Sequence, residues 1–161
     1  MEDPYKLLRI ILIAAILIII GAFFMRSHAQ FKVREHVAPA VLVFASGAFD
    51  GLNQALQFRY DGFKRVFPKA NDQWYNPAIS WRNKYKNGDP SQGAKYFGST
   101  SFLVGGTDAY HATRTVSNAL NATAIVVKLN DGKKKWWVYV TEIAGYWFIN
   151  RVGFSLVYNS F

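Results

Sequence analysis

The sequence predicts an all-α membrane protein: an N-terminal transmembrane or signal helix, then a bundle of about three membrane helices with a long aromatic and basic interfacial loop. Three observations carry this. Residues 10–25 are apolar throughout and hold no charge. Further along, Gly47, Gly51 and Ala55 recur at four-residue spacing, a small-residue stripe that lets another helix approach closely. Hydrophobic residues make up 51% and aromatics 17% of the 161 residues, heavy for a soluble domain of this size.

The N-terminal run, extended by Leu7, Leu8 and a snorkelling Arg9, approaches the ~20 residues that cross a bilayer. A basic start, an apolar middle and Ser27-His28-Ala29 before Gln30 also fit a cleaved signal peptide. Residues 1–29 are therefore read as an anchor or signal segment, and residues 30–161 as the helical membrane domain.

A second helix is expected over residues 37–67, with Pro39 near its start, where a missing N–H does little harm. Asp50, Gln54, Gln57 and Asp61 form a polar stripe on a face away from the glycines. Residues 68–98 change character. Asn71-Asp72, Asn76-Pro77, Asn87-Gly88-Asp89-Pro90 and Gly93 are turn signals, and they predict a long, lid-like loop. Trp74, Tyr75, Trp81, Tyr85, Tyr96 and Phe97 are interleaved there with Lys69, Arg82, Lys84, Lys86 and Lys95. That mixture suits a membrane–water interface, and flanking apolar helices favour it over stacking on single-stranded nucleic acid.

A third helix is expected over residues 99–128, capped by Ser99, Thr100 or Ser101. Asn130-Asp131-Gly132 makes a turn, and three lysines then lead into Trp136-Trp137, an interfacial anchor. Residues 136–161 read as a helix or a strand pair, with the spacing of Glu142, Tyr146 and Asn150 favouring the helix. Membrane orientation stays open. Residues 59–99 carry eight Lys and Arg and residues 128–135 carry four, and one crossing by the third helix cannot put both inside.

The net charge of +9 lies in patches beside apolar runs, which points to anionic headgroups as partners rather than nucleic acid. With no cysteine, a disulfide framework and a thiolate metal site are excluded. No Gly-x-Ser-x-Gly, phosphate loop or His-Glu-x-x-His is present.

Chemistry concentrates on Asp108, His111 and Arg114, whose three-residue steps on a helix share one face. Ionisable groups in an apolar helix need partners or water. Three readings compete. Asp50, Asp108, His111 and Glu142 from neighbouring helices could ligate a divalent metal. Arg114 and Arg151 could offset the three acids in a charge-balanced core. Asp108, His111 and Glu142 could form a proton or ion relay, and they are also the catalytic candidates.

The stretches Phe49-Asp-Gly51, Asn76-Pro-Ala-Ile-Ser-Trp-Arg-Asn-Lys-Tyr85, Gly88-Asp-Pro90, Gly98-Ser-Thr100 and Thr107-Asp-Ala-Tyr-His111 resemble a set found in small uncharacterised membrane proteins of Bacteroidetes-type bacteria and their phages. The resemblance covers roughly residues 40–160. It implies a compartment and an architecture, with Asp50, Asp108 and His111 as the positions of first interest, and it implies no activity. The expected function is a structural or assembly subunit of a bacterial inner membrane, or of a viral membrane, partnered by lipid and by other subunits or itself. The alternative is a metal-dependent membrane enzyme or an ion- or proton-handling protein.

Overall fold

The computed structural model describes residues 33–129 and 131–161. The expected N-terminal anchor or signal segment lies outside the described residues. Among the described residues the chain is helical, with no strand beyond a single bridge between Tyr85 and Ala94. Its α-helices are α1 (Val33–Phe58), α2 (Tyr60–Val66), α3 (Asp72–Tyr75), α4 (Pro77–Ser80), α5 (Ala109–Leu129) and α6 (Trp136–Tyr158), with short 3-10 helices at Trp81–Lys84, Lys86–Gly88, Pro90–Gln92 and Val104–Gly106. The last segment is thus a helix, not a strand pair.

Helix α1 is the centre of the unit. It packs along both α5 and α6. It meets α6 in parallel through glycine. A Cβ added at Gly47 would fall on the Asn150 carbonyl, one at Gly51 on the Phe154 carbonyl, and one at Gly153 on the Phe44 carbonyl. The small-residue stripe therefore brings backbone against backbone, as its spacing implied. Helix α5 runs antiparallel to α1 and is held by polar side chains. Ser46 Oγ donates to the Ser117 carbonyl and Ser117 Oγ to the Ser46 carbonyl, each at 3.0 Å. Near the other end, Asn53 Nδ2 donates to the Tyr110 carbonyl and to Thr113 Oγ1.

Small and polar residues fill much of the contact between these three helices, while many large apolar side chains face outward beside exposed polar ones such as Arg114, Asn118 and Arg151. Ser46, Asn53, Thr113, Ser117, Gly47, Gly51 and Gly153 are buried. Val41, Val126, Ile143, Trp147 and Phe148 are exposed. The continuous apolar core sits elsewhere, at the C-terminal end of α1. Leu56, Phe63 and Ala109 form it, with Tyr60, Trp74, Tyr75 and Phe161 packed around them. Gly62 lets α2 lie directly on the Phe161 carbonyl.

Two expectations need correction here. The expected 37–67 helix starts four residues earlier and breaks at Arg59, where the backbone leaves the helical region (φ −134°, ψ 34°), so Pro39 lies inside α1. The 99–128 helix starts ten residues later. Gly98 takes a positive φ of 81°, and Val104–Gly106 forms a separate tight turn before Thr107. The chain becomes α-helical only after Asp108.

The 68–98 segment is folded locally rather than structureless. Its turn residues are helix caps: Asn71 accepts the Gln73 N–H, Asn76 the Ala78 N–H and Asp89 the Ser91 N–H, the last two ahead of prolines at the first helical position. Lys64 and Tyr60 on α2 both donate to Asp72 and tie the segment to the core. The Lys64 ammonium, followed by the Tyr60 hydroxyl, holds the Asp72 carboxyl below the usual carboxylate range. Among the described residues, no helix is long and apolar enough to cross a membrane. Polar residues interrupt each long helix: Asp50 and Asn53 in α1, Arg114 and Asn121 in α5, Glu142 and Arg151 in α6.

Candidate functional site

The chain turns into α5 on Asp108, which is 1% exposed. Its Oδ1 accepts the His111 backbone N–H at 2.9 Å, the bond an N-cap makes to the third helical residue. Its Oδ2 accepts from Thr107 Oγ1 at 2.9 Å and lies 2.7 Å from His111 Nδ1. A carboxylate beside Nδ1 calls for a proton on that nitrogen. Asn83 clamps the turn from the preceding segment, donating to the carbonyls of Thr107 at 3.0 Å and Gln73 at 2.6 Å. Asp108 and His111 therefore do meet, as their spacing implied. They meet as cap and third helical residue, not as two residues within one helix face.

Glu142 is held at the far end of α5. Lys134 Nζ donates to it at 2.6 Å, and Lys128 Nζ and His36 Nε2 stand 3.5 and 3.7 Å away. Lys128 and Lys134 also bind Asp131 in the turn between α5 and α6. Burial would raise the Asp131 carboxyl, yet the hydrogen bonds from these two lysines outweigh it and leave the group below its ordinary range. For Lys134, burial pulls down, but the bonds to Glu142 and Asp131 prevail and hold the ammonium above its usual value. The two lysines and two carboxylates cancel, and they pin α5, the turn and α6 together. His36 Nδ1 meets the Tyr146 hydroxyl at 2.8 Å, adding α1 to the same end.

The four residues expected to form one site are thus distributed. At ~1.5 Å per residue, Lys128 beside Glu142 lies about 25 Å along α5 from His111. Asp50 is half-buried between these levels on α1. No group of three or more His, Cys, Asp or Glu among the described residues could hold a metal ion. The Asp50, Asp108, His111 and Glu142 metal shell is therefore corrected to one Asp–His pair, too few ligands for a divalent site. A relay joining Asp108, His111 and Glu142 fails for the same reason of distance. Arg114 and Arg151 do not balance the acids. Arg114 is exposed and reaches the Tyr110 hydroxyl at 3.4 Å, while Arg151 lies over the Phe154 ring. The lysines at residues 128 and 134 take the role expected of the arginines.

Between α5 and α6 runs an open groove of about 530 Å³, floored by Pro39 and Val43 of α1. Its walls include Ala124 and Ile125 on one side and Ile143 and Trp147 on the other. A second depression, about 720 Å³, lies under α2 between Leu52, Phe67, Tyr75 and Phe161.

Several structuring residues escaped the sequence reading: Ser46, Asn53, Asn83, Thr113 and Ser117. One signal was present. Ala109, Thr113 and Ser117 repeat at four-residue spacing, the same stripe that marked the glycines of α1. No family model matches this chain, and neither the curated proteins nor the solved structures contain a match to it.

Proposed function

We propose that this protein is a small membrane-associated structural subunit, whose apolar exterior meets lipid or a neighbouring subunit while small and hydrogen-bonded polar residues hold its interior. The observation that carries this is the set of large apolar side chains facing outward along α1, α5 and α6, with small and polar residues in the contacts between them. In water, a helical unit gains stability by hiding Val, Ile, Phe and Trp. Here many of those side chains lie on the outside, and serine, asparagine, threonine, glycine and alanine make most of the helix contacts inside. In an apolar medium that order is the favourable one, since close backbone approach and interhelical hydrogen bonds then drive assembly. The net charge of +9 and the aromatic, basic 68–98 segment fit attachment at an anionic headgroup layer. In this reading the Asp108–His111 pair is a helix cap and the lysine–carboxylate cluster a clamp, and neither carries a reaction.

The chain's five tryptophans allow a direct test. Trp74 and Trp81 lie in the polar segment, whereas Trp136, Trp137 and Trp147 lie on α6. In the full chain with Trp74→Phe and Trp81→Phe, fluorescence in phosphatidylcholine vesicles brominated on the acyl chains is expected to be strongly quenched, and aqueous iodide is expected to have little effect. Quenching by iodide without quenching by bromine would overturn the proposal.

A further inference from the structure

We infer that the groove between α5 and α6 takes one acyl chain of an anionic phospholipid, with the headgroup on Lys133 and Lys135; this rests on the membrane reading above. The groove is mostly apolar, with Pro39, Val43, Ala124, Ile125, Ile143 and Trp147 on its surface; Asn121, Asn150 and the mutually paired Lys128 and Glu142 also line it. On α6 it runs from Tyr139 to Asn150, roughly 16 Å at ~1.5 Å per residue, which suits an extended hydrocarbon chain. Its volume of about 530 Å³ falls within the ~300–1,000 Å³ of sites that enclose a small ligand.

The charge at its mouth selects the occupant. Tyr139 lines the groove, and its hydroxyl accepts the Lys134 N–H at 3.0 Å, which fixes the lysine segment at that end. Lys128 and Lys134 are consumed by Asp131 and Glu142. Lys133 and Lys135 are exposed, and Trp136 beside them is 76% exposed. Folding does not account for this arrangement. Cations at a helix N-terminus oppose the helix dipole, and α6 has no side-chain cap there. Two exposed lysines with no ion pair among the described residues, and an exposed indole, lie in sequence next to the groove-lining Tyr139 end, and they match the phosphate and interface of an anionic lipid whose chain enters the groove.

The test is photo-crosslinking of the full chain carrying benzoylphenylalanine in place of Ile143, with a second chain carrying it in place of Phe148. Both positions are exposed on α6, but only Ile143 lines the groove. The chains are reconstituted in vesicles of phosphatidylglycerol or phosphatidylcholine with matched acyl chains. The expected result is a lipid adduct at position 143 that favours phosphatidylglycerol, no such preference at position 148, and loss of the preference in Lys133→Ala/Lys135→Ala, about fivefold per lysine. Equal adducts from both lipids at position 143 would overturn the inference. So would a crosslink from there to residues 10–25 of the same chain or to a second copy. If the chain binds vesicles but gives one of those results, the groove assignment fails and the membrane reading stands. If it does not bind vesicles, both fail.

Discussion

Gly153→Leu is expected to abolish the stable pairing of α1 and α6, lowering stability by at least ~3 kcal/mol, the upper range for overpacking a close contact. Gly153→Ala should cost less but keep the same sign. That sign is informative. Inside a helix, exchanging glycine for alanine normally stabilises by about 1 kcal/mol. Here the added methyl would meet the Phe44 carbonyl and the Ala48 amide nitrogen, which are backbone atoms that cannot swing aside. Steric cost therefore outweighs propensity. Gly47→Ala should behave alike, because its Cβ would strike the Asn150 backbone. Gly132→Ala is the contrast. It sits at φ 76° with nothing within 4 Å, so only the left-handed penalty of roughly 1–2 kcal/mol applies. Denaturant unfolding followed by circular dichroism would rank the four. A stabilised Gly153→Ala would mean that the two helices do not lie backbone to backbone.

Asp108→Ala is expected to be strongly destabilising, at about 2–3 kcal/mol. Loss of an N-cap accounts for roughly 1 kcal/mol. The remainder comes from the His111 backbone and ring donors, which lose their acceptor in a partly buried place, while the Thr107 hydroxyl keeps the Val104 carbonyl at 2.8 Å. Asp108→Asn keeps a cap oxygen and should cost about 1 kcal/mol, since a charge-assisted bond is replaced by a neutral one. His111→Ala should be milder than Asp108→Ala, because the cap bond is to its backbone and survives. Thermal unfolding of the three variants would establish the order. Equal losses for Asp108→Ala and His111→Ala would show that the imidazole, not the cap, is what the site preserves.

The helical class was legible in the sequence because its signals are local. Glycine spacing at residues 47 and 51 foretold a close helix contact, and the Asp-x-x-His step foretold that those two side chains meet. What failed depended on distant partners. Nothing in the sequence sets Glu142 beside Lys134 rather than beside Asp108, since that choice is made by the antiparallel run of α5. The sequence places the start of α5 too early, because three good caps at residues 99–101 precede the true one, and the glycines at 105 and 106 break the continuity that apolar periodicity suggests. The sequence points to a lid-like loop over residues 68–98, because Asn-Pro and Asp-Pro signal turns and helix starts equally well.

Cysteine accessibility tests the outward-facing apolar surface most directly, because the natural chain has no cysteine to interfere. Single cysteines would replace Val41, Val126 and Phe148 on the apolar exterior, and Gln92 and Lys95 in the polar segment, all of them exposed. Membranes opened by freeze–thaw, so that both sides are reached, would then be treated with a charged maleimide. Reaction at residues 92 and 95 with protection at 41, 126 and 148 is the predicted result, and labelling of the helix exterior as fast as the polar segment would contradict it.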